Sequence, residues 1–368
     1  MIYFDNAATT FPKPKCVITE VVNCLKLYCG NPGRSSHKLA LAASEKIYES
    51  REALAKFLSV EKSENIVFTP NATHALNIAI KGLLKENCHY ITSDIEHNSV
   101  LRPIYKCVKT RNCSFSVYNS DLPLREAIIP LIRDDTRGII TTLASNVTGK
   151  IQNIQEISEI ATKYNLKLIV DASQYLGHKR INLKNINYDV LCSAGHKALF
   201  GIQGSGFAVF NRNEELDTIV EGGSGVDSFS KSMPGLLPER FEAGTVNTPA
   251  IVSLLAGIKY INAIGLDNIN DKIQYLTERV RDILSSFKDI TLYGAENGII
   301  SFNKGSYSSS EIADKLNKEN IATRAGFHCA PLIHQKLGTS SVGAIRISLS
   351  YMNTKKECDM LYTALKKC

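Results

Sequence analysis

Apolar residues in the first two-thirds of the chain come in short continuous runs. Residues 65–69, 90–93, 138–143, 166–170 and 190–192 each form such a run, and each is followed by polar, loop-like residues. After the first run comes a turn at Pro70-Asn71, then a helix-like stretch over 72–84. Continuous apolar strands separated by helices predict a parallel sheet covered on both faces. In such sheets the functional groups gather just past the C-terminal ends of the strands. Thr73, His97, Asn146, Asp171 and His196-Lys197 all fall there.

The pattern changes near residue 250. Ile251, Leu254, Leu255, Ile258 and Ile261 mark one helix. Ile269, Ile273, Leu276, Val280, Ile283 and Phe287 mark a second at helical spacing. A strand at 298–302, a helix at 308–316, strands at 321–324 and 345–349 and a last helix follow. Ser308 with Glu311, and Thr354 with Glu357, read as capping boxes. The chain is therefore expected to be α/β. Residues 12–250 should form a large domain and 251–368 a smaller α+β one, with 1–11 packing near the latter.

Composition narrows the function classes. The 368 residues suit two domains at about 150 residues each. Net charge is +7 with no Lys/Arg block, so neither a nucleic-acid groove nor a polybasic membrane patch is indicated. No apolar run approaches the ~18 residues of a membrane span. The start, MIYFDNAATT, has no basic leader, so a cytoplasmic chain is expected. The ten cysteines contain no CxxC pair and no zinc-like Cys/His set. In a reducing compartment most should be small apolar residues.

Three turns carry candidate chemistry. Ser193-Ala194-Gly195-His196-Lys197 closes a strand, and a lysine held there among small residues loses solvation and becomes an amine nucleophile; the alternative is a surface lysine. Asp171-Ala172-Ser173-Gln174 puts an acid at a buried strand end, suited to the protonated ring nitrogen of a pyridoxal cofactor or, equally, to a helix cap. Asn71-Ala72-Thr73-His74 joins strand to helix, where free N–H groups bind phosphate or a plain N-cap sits.

Taken in order, a phosphate turn, a histidine, an acid and a lysine resemble a fold type I pyridoxal-phosphate enzyme. The chain resembles the class V aminotransferases, and within them the cysteine desulfurases and selenocysteine lyases, from Tyr3-Phe4-Asp5-Asn6-Ala7-Ala8-Thr9-Thr10 to Tyr351-Met352-Asn353-Thr354. The resemblance implies pyridoxal 5'-phosphate as cofactor. It makes Lys197 the lysine that holds it covalently, Asp171 the partner of its ring nitrogen, Gln174 the amide near its phenolic oxygen and His97 the ring that stacks on it. Thr73, His196 and the Ala72 N–H match phosphate ligands. Thr245, in Phe241-Glu242-Ala243-Gly244-Thr245, matches a phosphate ligand given by the other subunit of a homodimer. Asn146 and Arg346 match binders of the substrate carboxylate, assisted by Arg324, and Arg34 would line the entrance.

Arg324-Ala325-Gly326-Phe327-His328-Cys329-Ala330-Pro331 matches the segment with the catalytic cysteine, Cys329. It lies 17 positions before Arg346, the spacing of the group with a short ordered loop. Two positions depart from the family. Ala194 replaces the usual Ser or Thr three residues before the lysine, leaving Ser193, one residue earlier, as the candidate for that cofactor contact. Ala72 stands where some relatives have a second Thr. The implied activity converts L-cysteine to L-alanine and leaves a persulfide on Cys329 for an acceptor protein or thiol. The alternatives are a selenocysteine β-lyase acting on L-selenocysteine, another class V aminotransferase or β-lyase, and a sulfur-relay scaffold without catalysis. The pathway fed, iron–sulfur cluster assembly among others, stays open. Cys368 reads either as a relay thiol or as an incidental residue.

Overall fold

The computed structural model describes residues 1–33, 36–211 and 216–368. Its strands in chain order are β1 (Ile2–Tyr3), β2 (Ile66–Thr69), β3 (His89–Ser93), β4 (Ser114–Tyr118), β5 (Thr136–Thr142), β6 (Lys167–Asp171), β7 (Val190–Ala194), β8 (Gly206–Phe210), β9 (Ile290–Glu296), β10 (Ile299–Lys304), β11 (Ile321–Ala322), β12 (Arg324–Gly326) and β13 (Ala344–Ser348). Helices α1 (Lys15–Asn23), α2 (Lys38–Leu58), α3 (Ala72–Leu83), α4 (Asn98–Arg111), α5 (Leu124–Ile128) and α6 (Ile154–Lys163) precede or interleave the first strands. Helices α7 (Thr248–Ile264), α8 (Leu266–Ser285), α9 (Ser309–Lys318), α10 (Pro331–Lys336) and α11 (Lys355–Lys367) belong to the later part.

The large sheet runs β2-β8-β7-β6-β5-β3-β4. Strands β3, β5, β6 and β7 pair in parallel, as their continuous apolar runs predict; β4, which lies outside those runs, joins them in parallel, whereas the first run, β2, pairs antiparallel at the sheet edge. Strand β8 is antiparallel to β7 and β2. The physical reason is length: the link from Ala194 to Gly206 is too short for a crossover helix. Alternate residues feed two cores. Ile139, Leu168, Val170 and Leu191 face the side covered by α2, α6 and α7. Ile140, Ile169, Val190 and Cys192 face α3 and α4. Each such buried side chain stabilises the fold by about 1.5–3 kcal/mol.

The second sheet, β12-β13-β10-β9, is antiparallel. Its core unites Phe302, Ile345 and Ile347 with Leu276 and Val280 of α8 and Leu361 of α11. Ile2 and Phe4 join that core, and β1 pairs with β11 in parallel. The apolar spacing of α8 is realised, with Ile269, Ile273, Leu276, Val280 and Ile283 buried. Both capping boxes form. The strand expected at 321–324 is two strands: β11 pairs with β1 and β12 with β13. Among the described residues no single helix is long and apolar enough to cross a membrane.

One close approach joins the sheets. Gly149 has φ +77°, and a Cβ there would lie 1.8 Å from the Glu296 carbonyl oxygen. Only glycine lets the 145–150 turn, which carries Asn146, sit against the end of β9.

Candidate active site

A cavity of about 180 Å³ opens at the C-terminal ends of β5, β6 and β7, beside the N-terminus of α3. Asp171 ends β6 and is buried there; its Oδ1 accepts the Ser173 N–H at 2.9 Å. Lys197 follows β7 on a turn closed by Gly201 N–H to the Gly195 carbonyl at 2.9 Å. The N-terminal segment clamps this turn. Thr10 Oγ1 donates to the Lys197 carbonyl at 2.7 Å, and Thr9 Oγ1 and Lys13 Nζ donate to the His196 carbonyl at 3.1 and 2.8 Å. Burial lowers the Lys197 pKa to about 8; Asp171 opposes this and Arg346 and Arg324 add to it. A lysine so placed has a usable fraction of neutral amine near neutral pH.

His97 caps α4, its Nδ1 accepting the Ser99 N–H at 3.0 Å. A bare Nδ1 puts the proton on Nε2. Burial, then the Lys197 charge, lowers the His97 pKa to about 4, so the ring is neutral. Ser99 Oγ also bonds Thr73 Oγ1 at 2.8 Å, linking the two cavity residues. Asn71 caps α3 through the His74 N–H at 2.9 Å. The Ala72 and Thr73 N–H groups lie in that helix's first turn, where no intrahelical carbonyl is available to them. His196 is neutral for the same reason as His97, lowered to about 4 by burial and Lys197, and its Nδ1 is buried without a partner among the described residues. Gln174 lines the cavity and donates to the Ala7 carbonyl at 3.0 Å.

Behind this wall lies Glu96, fully buried. Its Oε1 accepts the Ser93 hydroxyl and, at 2.8 Å, the Thr142 N–H; Oε2 has no partner among the described residues. Burial pushes its pKa up to about 8 against those hydrogen bonds, and Asp171 adds to the rise.

Arg346, on β13, is 1% exposed. It donates to the Asn146 carbonyl at 2.9 Å and to Asp5 Oδ1 at 2.8 Å, while Nε has no partner among the described residues. Arg324 faces it in register on β12, and both line the cavity. Asn146 Nδ2 donates to the His328 carbonyl at 2.7 Å, leaving Oδ1 buried with no partner among the described residues. His328 lines the cavity; Cys329, next along, is exposed and close enough to influence the Lys197 charge.

The structure thus gathers Lys197, Asp171, Gln174, His97, Ala72, Thr73, His196, Asn146, Arg324 and Arg346 around one cavity. It does not bring Ser193 there. Strand alternation points Ala194 into the cavity wall and Ser193 to the opposite face, where its Oγ is buried and unpaired. Thr245 borders a separate cavity of about 480 Å³ with Arg51 and Glu242. Arg34 lies outside the described residues. Cys368 is tied down rather than loose: its Sγ donates to the Ala364 carbonyl and its own carbonyl accepts Lys315 Nζ at 2.7 Å. Sequence reasoning missed Asp5, Ser99, Thr142, Ser173 and His328 as contributors. The signal for Ser99 was its place two residues after a capping His; for Asp5 there was none local.

The family model for class V aminotransferases matches residues 2–361. The chain belongs to that family. A probable cysteine desulfurase of Methanothermobacter thermautotrophicus is 32% identical over 381 residues, covering 100% of this chain and 94% of the relative. One of Borreliella burgdorferi is 33% identical, covering 100% and 91%. The apo structure of a cysteine desulfurase from Thermococcus onnurineus NA1 superposes with TM-score 0.90 at 29% identity, covering 100% of this chain and 94% of that one. The class V fold is the pyridoxal-phosphate fold type I expected from the sequence, and family members of this kind are enzymes that depend on that cofactor.

Proposed function

We propose that the chain is a cysteine desulfurase that works with pyridoxal 5'-phosphate, taking L-cysteine to L-alanine and leaving a persulfide on Cys329. One observation carries the reading. The half-buried Lys197 amine shares a cavity with Asp171 and two arginines, and the loop bearing Cys329 is hydrogen-bonded to Asn146 of that same cavity.

The residues suit the cofactor. The first turn of α3, Thr73, Ser99 and the unpaired Nδ1 of His196 offer donors for a phosphate. Asp171 would hold the ring nitrogen, Gln174 and His97 the ring, and Lys197 the aldehyde carbon. With Ala194 lacking a hydroxyl, the Thr73–Ser99 pair supplies the side-chain oxygens on that wall. When bound, the cofactor supplies an electron sink for charge developing at the substrate Cα.

The chain's own residues then have distinct tasks. Arg346 and Arg324 hold the substrate carboxylate by charge-assisted hydrogen bonds. Lys197 Nζ, neutral above about pH 8, takes the Cα proton. Cys329 Sγ, as thiolate, attacks the substrate sulfur: an S–S bond forms and the Cβ–S bond breaks with its electron pair left on the carbon side; Cβ then takes a proton and Cα regains the one Lys197 Nζ removed, giving L-alanine. An acceptor thiol later attacks the outer sulfur. Thr245, bordering its own cavity, serves a second copy of the chain in a homodimer.

Alanine and sulfide release from L-cysteine with dithiothreitol, for wild type and Cys329→Ala, tests the reading, with L-selenocysteine in parallel. Loss on cysteine with retention on selenocysteine is expected. Full retention on cysteine would overturn the persulfide scheme and leave a β-lyase.

A further inference from the structure

The loop that presents Cys329 is held in a backbone shape that its residues do not favour. His328 has φ +50° and Cys329 φ +57°, two consecutive non-glycine residues in the left-handed region. Such residues keep that shape only where their surroundings hold them in it. Two backbone pins are plain: Asn98 N–H to the Cys329 carbonyl at 2.7 Å, and Asn146 Nδ2 to the His328 carbonyl at 2.7 Å.

A third support runs through side chains the mechanism does not use. His328 Nε2 lies 3.2 Å from the Arg324 carbonyl, which can only accept, so Nε2 carries the proton. His328 Nδ1 is then a lone pair and accepts from His334 Nε2–H at 3.3 Å. His334 Nδ1 in turn accepts the Thr339 hydroxyl at 2.7 Å. Each proton in the chain is therefore assigned by the carbonyl at its end. Both rings are almost fully buried, and burial favours the neutral forms the chain requires. His334 also stacks on His328, centroids 5.5 Å apart, and meets Phe327 edge-on at 5.6 Å. It thus touches both residues that precede Cys329 while sitting on α10, after it.

We propose that His334, oriented by Thr339, is a positioning residue for sulfur transfer: it fixes His328 and through it the loop that aims the Cys329 thiol at the substrate sulfur. The inference rests on the desulfurase reading above. Neither residue touches the cavity, so their removal should leave cofactor binding alone and act on the step that needs Cys329. Misplacing a reacting group by about 1 Å costs up to roughly a hundredfold.

The experiment compares Thr339→Val, Thr339→Ser and His334→Leu as purified holoenzymes. Three quantities are read: the visible absorbance of the bound cofactor, kcat and KM on L-cysteine, and iodoacetamide labelling of each cysteine by mass spectrometry. The exposed Cys16 and Cys29 serve as internal references. The expected result is an unchanged cofactor spectrum, kcat lower by about tenfold or more with KM within about twofold, and faster labelling of Cys329 relative to Cys16 and Cys29. Thr339→Ser, which restores the hydroxyl, should return both readouts toward wild type. Wild-type kcat and labelling in Thr339→Val would overturn the proposal, as would a Thr339→Ser no better than Thr339→Val, which would make the site one of packing alone. His334→Leu is informative where it folds; the threonine pair decides the matter where it does not. Were the wild type to release no alanine from L-cysteine, the functional reading would fail, and the labelling comparison would still test whether the relay holds the loop.

Discussion

The two side chains proposed to react are held in opposite ways. Lys197 stands at the end of a central parallel strand, half-buried, on a turn clamped by Thr9, Thr10 and Lys13. Its chemistry comes from desolvation, which lowers its pKa to about 8. Cys329 stands on an exposed loop of the smaller sheet, in left-handed backbone held by hydrogen bonds from Asn98 and Asn146 and by the His328–His334–Thr339 chain. On the proposed mechanism the lysine side needs a dry, rigid wall because it handles a proton in place. The cysteine side needs an exposed thiol because sulfur leaves from it to an acceptor, and position there is maintained by specific bonds rather than by burial.

The sharpest break of this contrast is Lys197→Ala. Turnover on L-cysteine and on L-selenocysteine should both fall by more than about a thousandfold, measured as alanine release, whereas Cys329→Ala should spare the selenium substrate. Equal effects of the two variants on both substrates would erase the division of labour.

A middle-sized effect concerns pH. Once substrate has displaced Lys197 from the cofactor, rate should rise as pH passes through about 8 and its Nζ loses its proton, and this limb should be read in kcat. The wall behind it acts on stability with the opposite sign. Glu96 titrates near 4.5 when unfolded and near 8 when folded. The folded chain therefore binds the extra proton between those values, and Glu96's contribution is present below about 4.5 and lost as pH rises toward 8. Glu96→Gln should flatten the dependence of denaturation midpoint on pH across that window; an unchanged slope would place the loss elsewhere.

The smallest effect lies on the cysteine side. Lys336, on α10, pairs with Asp94 at 2.7 Å and Asp121 at 2.6 Å, tying that helix to the large sheet. The pairs are partly exposed, so Lys336→Met should cost under about 1 kcal/mol in chemical denaturation and less in kcat than Thr339→Val.

Much of the fold followed from local pattern. Continuous apolar runs gave β3, β5, β6 and β7 but missed β4 and the antiparallel pairing of β2, and helical spacing with capping boxes gave α8, α9 and α11. Strand β8 and the split of residues 321–324 into β11 and β12 were not readable, because both depend on which neighbour a short segment pairs with. Most cavity residues were readable from their place after strands. Ser193 was misplaced although its alternation with Ala194 settles its direction. Asp5 could not be foreseen: it lies 341 positions from Arg346, the cation it pairs with.

The sequence by itself determined most of the element types, the family and the proposed reactive pair Lys197 and Cys329, because these rest on residue identity and short-range spacing. Only the tertiary structure decided how those residues behave. The charge on Lys197, the neutrality of His97 and Glu96, and the tautomers of His328 and His334 are set by burial and by partners from distant segments. Desolvation and hydrogen bonding act through space, and the chain brings those segments together only when it folds.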